Sequence, residues 1–186
     1  MHIDAKWHPQ LLDWARRSVA HGVQHGCAYP VDVNEVPAQL KVLRATFVTI
    51  YRKGRLRGCV GTLQAWCPLA QDICQNAFSA AFHDNRFSVV QEHELATLKY
   101  KLSILSIPER MTFSSEADVL DQIDAGKDGV ILAYGERKST FLPSVWAQLP
   151  NKKDFWTHLK QKAGLSKNWW SSAAQVFKYQ SELIEE

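Results

Sequence analysis

Apolar positions along this chain change period several times, and each change marks an element. Behind Pro9, about Gln10 to Ala20 sets Leu11, Leu12, Ala15 and Val19 on one side of a helix, with Gly22 as its end. Cys27 to Pro37 carries Pro30 and Pro37 and reads as loop or extended chain. Thr46 to Tyr51 predicts a strand. It turns through Arg52-Lys53-Gly54-Arg55 and returns from Leu56 toward Leu63, a hairpin with a four-residue connection. Pro68 suits the first turn of a helix running to about Phe82, whose stripe of Ala70, Ile73, Cys74, Ala77, Phe78 and Ala81 faces a sheet.

A turn at His83-Asp84-Asn85-Arg86 and a short helical piece near Glu94 follow. Tyr100 to Ser106 then alternates as a strand until Pro108 stops it. A helix from about Ser115 to Ile123 precedes Gly126; Gly129 to Tyr134 is a strand that returns at Ser139 to Leu142. The last third holds a helix from about Lys153 to Ala163, closed by Gly164 with Leu165 behind it, and a strand near Gln175 to Gln180. Strands joined by hairpins, with helices out of strict alternation, predict an α+β fold with a mainly antiparallel sheet and flanking helices.

Length and composition fit one domain over residues 1–186: at 46% hydrophobic residues the chain can bury its own core without a metal or disulfide scaffold. The first twenty residues carry His2, Asp4, Lys6, His8, Asp13, Arg16 and Arg17 and lack a signal-peptide core, and no run is long enough to span a bilayer. The expected compartment is the cytoplasm, where Cys27, Cys59, Cys67 and Cys74 stay thiols, with no membrane association. A net charge of +3 is no nucleic-acid signature, although Arg52, Lys53, Arg55 and Arg57 cluster at one turn while Glu182, Glu185 and Glu186 lie together near the end.

Candidate chemistry concentrates at Leu56-Arg57-Gly58-Cys59-Val60-Gly61, a thiol between two glycines. On a regular strand Arg55, Arg57 and Cys59 share a face, and a guanidinium near the sulfur favours thiolate, the form that attacks electrophiles. The same cysteine also reads as a small packing residue where nothing larger fits. A nucleophile needs a base, for which His83 and His93 are the candidates. Asp84 and Arg86 read as a local ion pair ordering the loop beside this strand. No metal site is expected: the cysteines form no paired knuckle, and His21, His25 and Cys27 meet only if the chain folds back there. No cofactor motif is present; Gly126-Lys127-Asp128-Gly129 lacks the phosphate-loop spacing. Trp156 is read as packing, and the adjacent Trp169 and Trp170 must point in different directions.

Several segments in order resemble the AMMECR domain family: Leu56 to Thr62, Pro68-Leu69-Ala70, Ala80 to Phe87, Leu102 to Ser106, Gly126 to Val130, Phe141 to Val145 and Lys162 to Leu165. That family includes protein A of the AmmeMemoRadiSam system. The most specific match is the glycine-cysteine strand, usually Leu-Arg-Gly-Cys-Ile-Gly, with valine here at position 60. The resemblance implies a larger and a smaller subdomain with a cleft between them near this motif. It also implies a Memo-like protein and a radical S-adenosylmethionine enzyme as partners in the same system. Many relatives carry glutamate in place of Lys101, cysteine in place of Lys160, and Asp-Pro-Arg-Phe in place of Asp84-Asn85-Arg86-Phe87.

The leading expectation is a ligand-binding or accessory module that takes a small anionic ligand at Arg57, Gly58, Cys59, Gly61, Asp84 and Arg86. One alternative makes Cys59 a catalytic nucleophile or redox thiol. The other places RNA on the basic hairpin tip, which the near-balanced charge elsewhere disfavours.

Overall fold

The structure, a computed structural model, describes residues 3–186, so Met1 and the expected leading His2 lie outside it. The chain divides into two compact units. One takes in the chain to Ser106 together with Glu182–Glu186; the other is Ile107–Ser181.

The first unit is a four-stranded sheet with two helices on one face. Strands β1 (Thr46–Arg52), β2 (Arg55–Gly61), β3 (Leu98–Leu105) and β8 (Ser181–Glu185) lie in the order β2-β1-β3-β8. Alternation along β1 buries Val48 and Ile50 completely and leaves Phe47, Thr49 and Tyr51 half-buried on the opposite face. Helix α1 (His8–His25) and helix α2 (Leu69–Phe82) share the core with those inward residues through Leu11, Ala15, Val19, Ile73 and Ala77. Gly22 does not end α1 as expected. The helix runs on to His25 because Gly22 is a crossing point: a Cβ there would lie 2.4 Å from the Phe82 ring, and Gly26, at φ +71, is the left-handed cap instead. Asp72 and Asn76 of α2 are buried too, knit to Thr46 by hydrogen bonds of 2.6 Å from the Thr46 hydroxyl to Asp72 and 3.1 Å from Asn76 to the Thr46 carbonyl.

The β1–β2 connection is also tighter than expected. Its two residues, Lys53 and Gly54, have φ of 50 and 74, the mirror-image turn that matches the twist of a hairpin.

The second unit repeats the plan with a second sheet, β4-β7-β5-β6, made of β4 (Glu109–Arg110), β7 (Gln175–Tyr179), β5 (Gly129–Tyr134) and β6 (Arg137–Phe141). Helices α3 (Glu116–Gln122) and α4 (Lys152–Lys162) cover it, with Val130, Leu132, Val176, Phe155, Trp156 and Leu159 in the core. Ser115 caps α3 and Asn151 caps α4 through their side chains. Beyond α4, Gly164 at φ +73 and buried Leu165 form the expected cap. Trp146 stacks on Phe155 at 3.8 Å between ring centres, and Trp156 is buried as read, whereas Trp169 and Trp170 are both half-buried. Antiparallel sheets with flanking helices make the fold α+β. Strands β4 and β8 are additions to the expected elements.

Candidate functional site

Cys59 sits near the middle of β2, the edge strand of the first sheet, and the hairpin register decides what it meets. Ile50 pairs with Gly58, but the next residue, Tyr51, pairs with Leu56, so Arg57 is an extra residue, a β-bulge. The bulge breaks the shared face expected of Arg57 and Cys59. Beyond it, Cys59 lies opposite Thr49, and on the far side Thr49 lies opposite Lys101. Residues directly opposite in an antiparallel ladder point the same way. Cys59, Thr49 and Lys101 therefore form one row across three strands, on the face turned away from Val48 and Ile50. The Thr49 Oγ1 stands 3.3 Å from Cys59 Sγ.

Each glycine of the motif answers to a neighbour within the chain. A Cβ on Gly58 would lie 2.0 Å from the Ala80 carbonyl oxygen, so β2 passes against the backbone of α2 at a distance only glycine permits. At Gly61 a Cβ would lie 2.3 Å from Cγ of Phe47, whose ring covers that place on the outer face.

Two ion pairs fasten the edge of β2 to the segment that follows α2. The Cys59 amide donates to Asp84 Oδ2 at 2.8 Å, and Arg86 donates from Nη2 to the Cys59 carbonyl at 3.3 Å. The same guanidinium grips Asp84 with Nε–Oδ1 at 2.9 Å and Nη2–Oδ2 at 2.7 Å. Hydrogen bonding from Arg86, and then from the Cys59 amide, outweighs desolvation and holds the Asp84 carboxyl far below the usual carboxylate range. Arg57 makes the second fastening. It donates to Glu94 from Nε and Nη2, both at 2.9 Å, and to the carbonyls of Ser88 and Val89 at 2.8 and 3.2 Å. Arg52 reaches the same carboxylate at 2.9 Å, so the basic tip keeps Lys53 and Arg55 as its exposed cations. Chiefly through Arg57, Glu94 is lowered from its ordinary 4.5 to about 2.

The structure thus brings Arg57, Gly58, Cys59, Gly61, Asp84 and Arg86 into one neighbourhood with unequal parts. Arg57 and Gly58 hold the strand, Asp84 and Arg86 hold the Cys59 peptide, and the Cys59 and Gly61 positions belong to the outer face. Neither candidate base contacts the thiol: His83 stands edge-on to the Phe78 ring at 5.1 Å, and His93 is exposed. Elsewhere, burial raises the Cys74 thiol to about 12, and burial followed by the charge of Asp72 raises that of Cys67. His21, His25 and Cys27 do meet at the end of α1, with Cys27 Sγ 3.6 Å from His21 Nε2. Among the described residues, no three His, Cys, Asp or Glu side chains are placed to hold a metal ion. No described helix is long and apolar enough to cross a membrane.

Sequence reasoning missed Thr49 and the place of Lys101 beside it. A two-residue turn read from Lys53-Gly54 carries the register to Thr49 opposite Gly58, one short of the observed pair; the bulge supplies the missing step.

An α+β chain of two units, with a thiol-bearing sheet face edged by an Asp-x-Arg pair, is the class defined by this geometry. The AMMECR1 family model matches residues 12–184, and the chain belongs to that family. A protein of Methanosarcina acetivorans is 35% identical over 144 residues, 77% of this chain and 72% of the relative. Protein MK0488 of Methanopyrus kandleri is 28% identical over 185 residues, 95% of this chain and 86% of its own length. Among solved structures, the uncharacterized protein PH0010 of Pyrococcus horikoshii superposes with a TM-score of 0.87 at 28% identity, covering 99% of this chain and 93% of its own.

Proposed function

We propose that this protein is a ligand-binding or accessory module that receives a small anionic ligand on the outer face of its first sheet, around Cys59. The observation that carries the reading is the polar row on that face. The thiol and the Thr49 hydroxyl are 3.3 Å apart, and the Cys59 peptide beneath them is fixed from the edge by Asp84 and Arg86. A surface anchored in this way is pre-organised, so little ordering opposes binding. The module reading also takes support from the placement of His83 and His93, neither of which contacts the thiol as the base of a nucleophile would. The test is amide-shift mapping with inorganic phosphate and ADP as probes. Saturable shifts at Thr49, Cys59 and Lys101 that survive Cys59→Ala support the module; shifts confined to Lys53 and Arg55 at the hairpin tip move the ligand to the RNA alternative and sink it.

The Thr49 contact also favours a second reading, in which a hydroxyl stabilises a Cys59 thiolate that acts as nucleophile or redox thiol. Alkylation of Cys59 far faster than that of a free cysteine at neutral pH is what this reading requires. The resemblance supports a Memo-like protein and a radical S-adenosylmethionine enzyme as partners, and the charged first twenty residues support the cytoplasm as the compartment. Co-purification from cells producing all three proteins tests the association.

A further inference from the structure

We propose that Lys101 is the specificity-determining residue of the Cys59 face and makes it select anions; this rests on the module reading above. The argument is a comparison of cations. Arg57 is only 12% exposed and shares the charge of Glu94, which is itself buried, and Arg86 is neutralised by the fork on Asp84. Both guanidiniums belong to pairs whose geometry is taken up in holding the strand edge. Lys101 differs. It stands in the row itself, opposite Thr49, and its Nζ pairs at 3.3 Å with Glu185, a carboxylate 61% exposed. An ion pair with so solvated a partner is weak and exchangeable, whereas an incoming anion at Thr49 and Cys59 meets the ammonium with two further polar groups beside it.

Strands lie about 4.8 Å apart, so Lys101 and Cys59 are separated by about 10 Å of sheet. In the pair with Glu185 the Lys101 stem leans toward β8, on the far side of β3 from Thr49, so the ammonium meets an anion on the row by leaving that solvated partner and swinging its flexible stem toward Thr49. The neighbouring Lys99, opposite Tyr51, lies one row further toward the hairpin and pairs with Glu186 at 3.9 Å. Lys101 is thus the cation in the Cys59 row, and the ligand chemistry it selects is a small carboxylate or phosphate in preference to a neutral or cationic molecule.

Charge-selective alkylation tests this without knowledge of the natural ligand. Cys59 is labelled with iodoacetate, an anion, and with iodoacetamide, its neutral analogue, and each rate is normalised by peptide mass spectrometry to exposed Cys27. The iodoacetate-to-iodoacetamide ratio at Cys59 is expected to fall about tenfold in Lys101→Gln and further in Lys101→Glu. In Glu185→Gln, which frees the ammonium, it should rise. An unchanged ratio in both Lys101 variants, with iodoacetamide labelling intact, overturns the proposal. A wild-type Cys59 that resists iodoacetamide closes the face and overturns both this proposal and the module reading. If the ratio follows Lys101 while phosphate and ADP fail to bind, the module reading falls and the anion selectivity stands.

Discussion

Gly58 and Gly26 show how different two glycines are at the scale of single residues. Alanine at Gly58 drives a methyl group to 2.0 Å from a backbone oxygen of α2, which has no rotamer through which to yield. The expected loss is about 3 kcal/mol, read as a lower urea midpoint. Alanine at Gly26 meets nothing within 4 Å, and its φ of +71 alone costs about 1 kcal/mol. Beside Asp84, whose carboxyl is held lower still, Glu94 contributes to the acid response. Folding lowers its carboxyl from 4.5 to about 2, so the stability it contributes is complete above the unfolded value and is lost as pH falls through that interval. Glu94→Gln should flatten the decline in urea midpoint between pH 4.5 and 2. Buried Asp72 has the opposite sign: desolvation raises its carboxyl, so its contribution fades as pH rises. In the sequence Gly58 stands out only as a glycine beside the thiol, inside a strand. That helix α2 lies against it was not legible, because nothing in a local pattern says which part of the chain lies across from a strand.

Among the elements, the β1–β2 hairpin carries a residue poorly suited to its place. Lys53 occupies a left-handed position that asparagine or glycine fills with less strain, so Lys53→Asn should raise stability by about 0.5 to 1 kcal/mol in thermal or urea melts. The junction of α3 and α4 depends on a buried lysine. Lys160, 3% exposed, donates to Glu116 at 2.6 Å and to the Trp169 carbonyl at 3.1 Å, while Trp156 donates to the same Glu116 oxygen. Glu116→Ala leaves that ammonium with the Trp169 carbonyl alone and the indole N–H without its acceptor, and should cost about 2 to 3 kcal/mol. Lys160→Met leaves Glu116 partly solvated and still bonded to Trp156, and should cost far less; equal losses in the two variants would contradict this account. Helices and hairpin strands were legible because period, prolines and the Gly164–Leu165 cap are local. The run of α1 past Gly22 was not, since Gly22 as a helix end and Gly22 as a crossing point look alike until Phe78 and Phe82 are placed.

For the molecule as a whole, the controlling feature is the path of the chain. It builds the first unit as far as Ser106, makes the whole of the second over Ile107–Ser181, and returns for β8. The alternation of the final residues predicted no such return, because a five-residue strand gives no sign of which sheet it joins. Ile184 is nonetheless 2% exposed in the first core, and Glu186 is bonded to Arg16 and to the Tyr100 carbonyl. Ile184→Ala should therefore destabilise the first unit by about 2 to 4 kcal/mol, read as a lower urea midpoint. The topology also sets a timetable for synthesis. While the ribosome is still translating the second unit, β3 waits with an uncovered edge and the Tyr100 and Leu102 layer is unfinished, so a nascent chain of this protein carries a temporary adhesive border that a holdase chaperone would be expected to shield.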